Sequence, residues 1–240
     1  MRPVHRPQAE VSLICVHAAG SGPGMYRRWP ALLPESVDPV LVRMPGRESR
    51  FSEPLIDDFS MAVTALSSGL ANCFDRPYAL FGHSMGAHLA FALATRQHAA
   101  GLRLPEHVFV SGTLPPHLFR PPLGPQPHSD EELVAALASM GGTDPAMLAD
   151  PEARRIVLAP FRADLRICAG LRVAESPLPC ALSVYGGVDD QFPESDLAEW
   201  SRWSTEPVTV TMFTGRHFFL NNESELPVLR QITRTLTGSR

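Results

Sequence analysis

Residues 82–86 read Gly-His-Ser-Met-Gly, a G-x-S-x-G pentapeptide whose serine could act as a nucleophile. The pattern is short, and about one chain of this length in ten would carry it by accident, so its flanks decide what it means. Tyr78-Ala79-Leu80-Phe81 before it is an apolar, aromatic run suited to a buried strand, and residues 87–95 after it are rich in Ala and Leu, as a helix should be. A strand that turns sharply into a helix leaves the serine oxygen at the tip of the turn. Gly82 and Gly86 remove side chains that would collide across so tight a turn. The helix start then directs its unpaired N–H groups and the positive end of its dipole at the serine.

A serine hydroxyl needs a base within hydrogen-bond reach, and the base needs an orienting carboxylate. Open sheets with helices on both faces carry their sites beyond the carboxyl ends of strands. The place to look for the partners is therefore after the apolar runs at 181–185 and 208–213. Gly187-Val188-Asp189-Asp190 follows the first and Gly215-Arg216-His217 follows the second. In α/β-hydrolases the chain order is Ser, acid, His, which makes Ser84 the nucleophile, His217 the base and Asp190 the acid. The spacing of Asp190 from Gly187 fits a G-x-x-D turn. Asp189 is the alternative, better suited to capping the turn. His83 inside the pentapeptide and His88 in the following helix are assigned packing roles. The oxyanion hole should use the N–H of Met85, the residue after the nucleophile, and that of Ala19 in the small-residue loop Val16-His17-Ala18-Ala19-Gly20. With no H-E-x-x-H and no C-x-x-C, no metal site is assigned.

The elements that must hold these residues follow from periodicity and punctuation. Strands are expected at 11–16, 40–43, 78–81, 108–111, 181–185 and 208–213. Helices are expected at 26–33, from an N-cap at Asp58, over 87–95, at 195–203 and at 223–236. Alternating strands and helices imply a mostly parallel sheet with helices on both faces, the α/β-hydrolase fold. Pro115, Pro116, Pro121, Pro122 and Pro125 break the rhythm. Ser129 and Glu132 then form a capping box for a helix that Gly141-Gly142 stops. Asp150-Pro151 starts another, with an apolar stripe of Ile156, Phe161, Leu165, Cys168 and Leu171 and a proline, Pro160, that should kink it. Residues 113–177 are read as a helical insertion, a lid, within one domain spanning 1–240; a helical subdomain without a gating role is the alternative.

The 240 residues suffice for one substantial core. A net charge of −4 argues against a nucleic-acid surface, and no apolar run reaches the length of a membrane helix. Residues 1–10 contain Arg2 and Arg6 but no apolar block, so no secretory signal is read. Cys15, Cys73, Cys168 and Cys180 are scattered and read as free thiols of a cytoplasmic protein.

Together these segments resemble the type II thioesterases that accompany polyketide and nonribosomal peptide synthases, along nearly the whole chain. Residues 16–22 sit where that family has an F-P-x-A-G-G-S-like loop, with Val16-His17 in place of Phe-Pro. Leu41-Val42-Arg43-Met44-Pro45-Gly46-Arg47-Glu48 is similar to its Q-L-P-G-R-E segment. Ser111-Gly112 through Pro116-His117, Gly141-Gly142-Thr143 and Arg162-Ala163-Asp164 resemble its lid region, with Thr113 where a basic residue is frequent. Gly186-Gly187, Trp200 and Gly215-Arg216-His217-Phe218-Phe219-Leu220 resemble its closing blocks. The resemblance implies an editing enzyme without a cofactor that removes stalled or incorrect acyl groups from the phosphopantetheine arm of carrier proteins, with Ser84, Asp190 and His217 as the triad. It implies acidic acyl or peptidyl carrier domains as partners, for which Arg27, Arg28, Arg47 and Arg50 are candidate contacts; bracing of its own loop is the alternative for Arg47. A monomer is expected. On the residues alone, a carboxylesterase or lipase, an acyltransferase, and a non-catalytic binder on the same scaffold are the competing readings.

Overall fold

A computed structural model of the chain describes residues 6–124, 128–141, 143–172, 176–221 and 223–238. Arg2, Pro125 and Gly142, and the parts of the 113–177 stretch at 125–127, 142 and 173–175, lie outside them.

The described residues form one six-stranded sheet, every neighbouring pair parallel. In chain order the elements are β1 (Val11–Val16), α1 (Trp29–Leu32), β2 (Val37–Leu41), α2 (Phe59–Gly69), β3 (Tyr78–His83), α3 (Met85–Ala99), β4 (His107–Ser111), α4 (Asp130–Met140), α5 (Pro145–Ala149), α6 (Pro151–Ala169), β5 (Leu182–Gly187), α7 (Glu194–Ala198), β6 (Val208–Phe213) and α8 (Glu225–Thr237). The strand order is β2-β1-β3-β4-β5-β6. The chain first steps outward from β1 to β2, then crosses back to β3 on the other side of β1. That reversal opens a crevice beyond the carboxyl ends of β1 and β3, where ligands of such sheets bind.

The pleat sorts side chains to two cores. Ile14, Leu80, Val108 and Val184 face α2 and α3, while Leu13, Phe81, Phe109 and Tyr185 face α1 and α8. Both faces are covered, so strand interiors are apolar on successive residues rather than alternating. A third, smaller cluster of Leu133, Leu137, Leu148, Leu158, Phe161 and Leu165 joins α4, α5 and α6.

The expected strands at 11–16 and 208–213 have those bounds, and the second strand starts three residues earlier than expected and ends two earlier, at Val37–Leu41. Asp58 caps α2 by accepting from the Met61 N–H at 2.8 Å, and Ser129 with Glu132 forms the capping box of α4. Gly141, at φ 74°, ends α4. The expected helix at 26–33 is a 3-10 turn at Pro23–Tyr26 followed by α1; that at 195–203 is α7 followed by a 3-10 turn at Glu199–Trp203. Short α5 has no periodicity to betray it, being a single capped turn after Asp144. The stripe on α6 needs correction: Ile156 is 44% exposed, Leu171 lies beyond the helix end, and Leu158 takes the buried place.

Candidate active site

The turn from β3 into α3 holds Ser84 at φ 54° and ψ −120°, a conformation that L residues rarely adopt. It persists because its surroundings leave no alternative. The Ser84 N–H donates to the Ser111 carbonyl of β4 at 2.7 Å. A β-carbon on Gly82 would overlap the Gly86 carbonyl, and one on Gly86 would overlap the carbonyls of Val16 and His17. The second overlap brings the loop after β1 directly against the first turn of α3. The Met85 N–H, in that first turn, has no partner within the helix.

Two further loops close on the serine. The loop after β5 returns through an Asp190 N–H to Gly187 carbonyl bond of 3.1 Å, and the loop after β6 turns at Gly215. They are sewn together by the Val188 N–H on the Phe213 carbonyl and the Asp189 N–H on the Gly215 carbonyl. The Ser224 hydroxyl donates to the Thr214 carbonyl at 2.7 Å and fastens the second loop to the start of α8. The result is His217 Nδ1 2.9 Å from Asp190 Oδ2, with both side chains at most a tenth exposed. A carboxylate only accepts, so Nδ1 carries the proton and Nε2 is left with its lone pair. The Gln191 N–H donates to the other carboxylate oxygen at 2.8 Å. Asp189 is exposed and takes no part in the pair.

Ser84, Asp190 and His217 line one cleft of about 820 Å³, within the range of ligand sites. Leu114, Leu118, Phe119 and the α4 residues Ala135, Ala136 and Met140 form its apolar wall. His83 lies beneath it, its Nδ1 2.9 Å from the Ser111 hydroxyl and its ring 5.1 Å from that of His217. Burial, and next the nearby His217, push His83 well below the usual histidine range. His88 is pushed down to about 3 by burial, and its Nε2 is 2.9 Å from the Thr113 hydroxyl, whose residue also accepts from the Trp200 indole. Both histidines have the packing roles expected of them, and His83 touches the site as well.

The loop after β1 is fixed on three sides. The Ala18 carbonyl is 2.9 Å from His17 Nδ1 and accepts from the Ser21 N–H at 3.1 Å. The Gly20 N–H donates to Asp164 Oδ2 of α6 at 2.8 Å, and the Ser21 carbonyl accepts from Arg47 Nε at 2.9 Å. The Ala19 N–H has no hydrogen-bond partner among the described residues. Burial pushes the Asp164 carboxyl up, while the Arg47 guanidinium paired with it pulls the other way.

The four arginines divide. Arg47 is 6% exposed and spent on Asp164, Ser21 and Pro45, so it is not a docking contact. Its charged partner, Asp164, is fully buried as well. Arg28 is exposed and pairs with the buried Glu225 at 3.0 Å; Arg50 pairs with Glu53 at 2.7 Å. Arg27 is exposed, and with Arg28 it borders a second cleft of about 660 Å³. The sequence reading passed over the role of Asp164. A signal existed: an acid between Phe161 and Leu165 on a buried helix face requires a buried partner.

A family model described as a thioesterase domain matches residues 11–236. The linear gramicidin dehydrogenase LgrE of Brevibacillus parabrevis is 34% identical over 231 residues, covering 94% of this chain and 88% of its own. The type II thioesterase BorB from the borrelidin biosynthetic cluster superposes with a TM-score of 0.85 at 34% identity, over 98% of this chain and 95% of its own. The RedJ thioesterase from the prodiginine biosynthetic pathway in Streptomyces coelicolor gives 0.86 at 30% identity, over 98% and 91%. The stretch matched by the family model begins with β1 and ends in α8, taking in the turn at Ser84, the loops after β5 and β6 and helices α4–α6: the chain belongs to the thioesterase family, on an α/β-hydrolase fold.

Proposed function

We propose that this thioesterase hydrolyses stalled or incorrect acyl groups from the phosphopantetheine arm of acyl or peptidyl carrier proteins in polyketide or nonribosomal peptide synthesis, acting as a monomer in the cytoplasm. Ser84 attacks the thioester carbonyl while Nε2 of His217 takes its proton. The N–H groups of Met85 and Ala19 receive the developing oxyanion. Collapse expels a thiolate, which leaves readily because a thiol ionises near pH 8.5. Water activated by His217 then releases the acyl group, and Asp190 holds the imidazole in the required tautomer throughout. The scheme calls on no metal or cofactor.

The observation that carries this reading is the 2.9 Å His217–Asp190 hydrogen bond on the wall of the cleft that Ser84 enters in a strained turn. Helices α4–α6 are read as a lid because Ala135, Ala136 and Met140 share that cleft with Ser84. Its apolar wall suits an acyl chain. The free cysteines, three of them buried, accord with a reducing compartment. The dehydrogenase name of LgrE finds no support in this site. Gly20, Gly22 and Gly24 follow β1, but the G-x-G-x-x-G spacing ends at Met25 instead of glycine, and the loop opens a four-residue 3-10 turn rather than a long helix.

The test is hydrolysis of an acyl-loaded carrier protein and of a short acyl-pantetheine thioester. Wild type should turn over both, well above the rate on oxygen esters. Ser84→Ala should lose up to about a millionfold. Arg27→Glu should raise KM for the carrier substrate alone if Arg27 meets an acidic carrier. Undiminished hydrolysis by Ser84→Ala would refute the scheme.

A further inference from the structure

The helical segment reaches the catalytic rim through one buried ion pair. Asp164 of α6 has no exposed surface and Arg47, in the loop after β2, almost none. Such a pair is a poor source of stability, because removing two charges from water offsets most of their attraction. Its contacts indicate another use. Asp164 Oδ2 accepts from the Gly20 N–H at 2.8 Å; the Arg47 Nε–H donates to the Ser21 carbonyl at 2.9 Å. Phe161, one turn earlier on α6, would lie 3.0 Å from a β-carbon on Gly20, which sits at φ +71°.

Peptide planes are rigid, and in a trans peptide the N–H points opposite the carbonyl. The Ala18 carbonyl is held on one side by His17 Nδ1 and the Ser21 N–H. The Ala19 N–H in the same plane must point the other way. Anchoring the Gly20 N–H on the next plane, the Ser21 N–H on the one after it and the Ser21 C=O on the third then stops the loop from rotating. The Ala18 carbonyl, the Gly20 and Ser21 N–H groups and the Ser21 carbonyl are thus engaged, while the Ala19 N–H has no partner among the described residues.

We propose that Arg47 and Asp164 are positioning residues: they lock the 18–21 loop so that the Ala19 N–H is aimed at the oxyanion formed on the Ser84 adduct. This rests on the proposed role of Ala19 as an oxyanion donor. It gives Arg47 work inside the enzyme in place of a carrier contact, and it makes α6 a support of the oxyanion site.

The test must separate aim from stability. Asp164→Ala alone would strand a buried guanidinium. The double variant Arg47→Met/Asp164→Leu removes both charges and leaves none unpaired, an exchange that proteins often tolerate. It should melt close to wild type, yet kcat on a short acyl-pantetheine should fall about 10²-fold, the scale of one lost oxyanion donor, with KM little changed. The second-order rate of Ser84 with a fluorophosphonate, which also builds charge on an oxygen facing the donors, should fall by a similar factor. Asp164→Asn, which keeps an oxygen for the Gly20 N–H, should lie between. A folded double variant with wild-type kcat and phosphonylation rate would overturn the proposal, as would a loss confined to KM. If the double variant does not fold, the phosphonylation rate of Asp164→Asn decides, with an unchanged rate overturning the proposal. A wild type that is phosphonylated on Ser84 but leaves acyl-pantetheine intact would sink the thioesterase reading alone, and the phosphonylation ratio would still judge the positioning role. A wild type inert to the reagent would overturn both.

Discussion

Six α-helices among the described residues begin at a residue of N-cap type: Asp58 caps α2, Ser224 leaves α8 uncapped, and the other four set the helical segment against the strand ends. In the helical segment, Ser129, Asp144 and Asp150 stand before α4, α5 and α6, and each accepts a hydrogen bond from the first turn. At the rim, Ser84 stands before α3 and makes no such bond. Burial permits the difference. Every residue of α3 from Met85 to Ala94 is buried against the sheet, so packing holds that helix whether or not it is capped. Among the described residues the segment's own buried cluster has six members, with Ile167 and Cys168 of α6 joining the main core, and there local hydrogen bonds matter more. Where the core is large, a serine at a helix start can be left to chemistry.

The strongest way to break this comparison is to damage the rim's chemistry and look for damage to its structure. Asp190→Asn keeps the shape of the site but presents an amide where Nδ1–H needs an acceptor of fixed charge. We expect kcat to fall about 10⁴-fold, with the melting temperature nearly unchanged. Single-turnover kinetics and a thermal melt check it. If the melting temperature dropped steeply instead, the His217–Asp190 pair would be part of what holds the rim loops together.

Acid should act on the same region through a different group of residues. His17, beneath the loop after β1, and His88, in α3, are both held down to about 3, His88 by burial and His17 by burial and then the Arg47 charge. Between the unfolded value near 6.5 and about 3, the unfolded chain binds protons that the folded chain does not. Stability is therefore complete above about pH 6.5 and is lost as pH falls. At pH 5 each of the two should cost about 2 kcal/mol. His83 and His107, also held down by burial, add to the same slope. Denaturant midpoints at pH 7 and 5 measure the sum of the four, and His88→Gln should remove about a quarter of it. An equal slope in that variant would place the acid sensitivity elsewhere.

The same division explains what could be read from the chain. Ser129 and Glu132, Asp58, and the strand at 208–213 announce themselves within a few residues, because capping and β-branched alternation are local physics. That Ser84, Asp190 and His217 would share one cleft was legible too, since the fold places such residues just past strand ends and few side chains stand there. The start of β2 was not legible: Pro39 inside the strand masks it, yet on an edge strand a missing N–H is tolerated. Nor was the Arg47–Asp164 pair, 117 residues apart. A resemblance drew notice to both segments without giving either a role, because nothing local to Arg47 says whether its charge faces water or a carboxylate.

The finest test sets two serines against each other. Ser129→Ala removes the acceptor for the Glu132 N–H and keeps only the reciprocal bond, 2.7 Å long, from the backbone N–H of residue 129 to the Glu132 carboxylate. Loss of such a cap costs about 1 kcal/mol, and faster amide exchange confined to α4 would report it. Ser84→Gly should move the other way. A non-glycine residue at φ 54° and ψ −120° costs roughly 1–3 kcal/mol, whereas glycine adopts that conformation freely. The added flexibility of glycine in the unfolded chain takes back about 0.5–1 kcal/mol. The balance is a gain of about 1 kcal/mol, or a melting temperature raised by about 2–4 °C in a chain of this size, in a protein with no nucleophile. If Ser84→Gly instead destabilised the enzyme as Ser129→Ala does, the hydroxyl of Ser84 would be supporting α3 after all, and the freedom of that serine from structural duty would have to be given up.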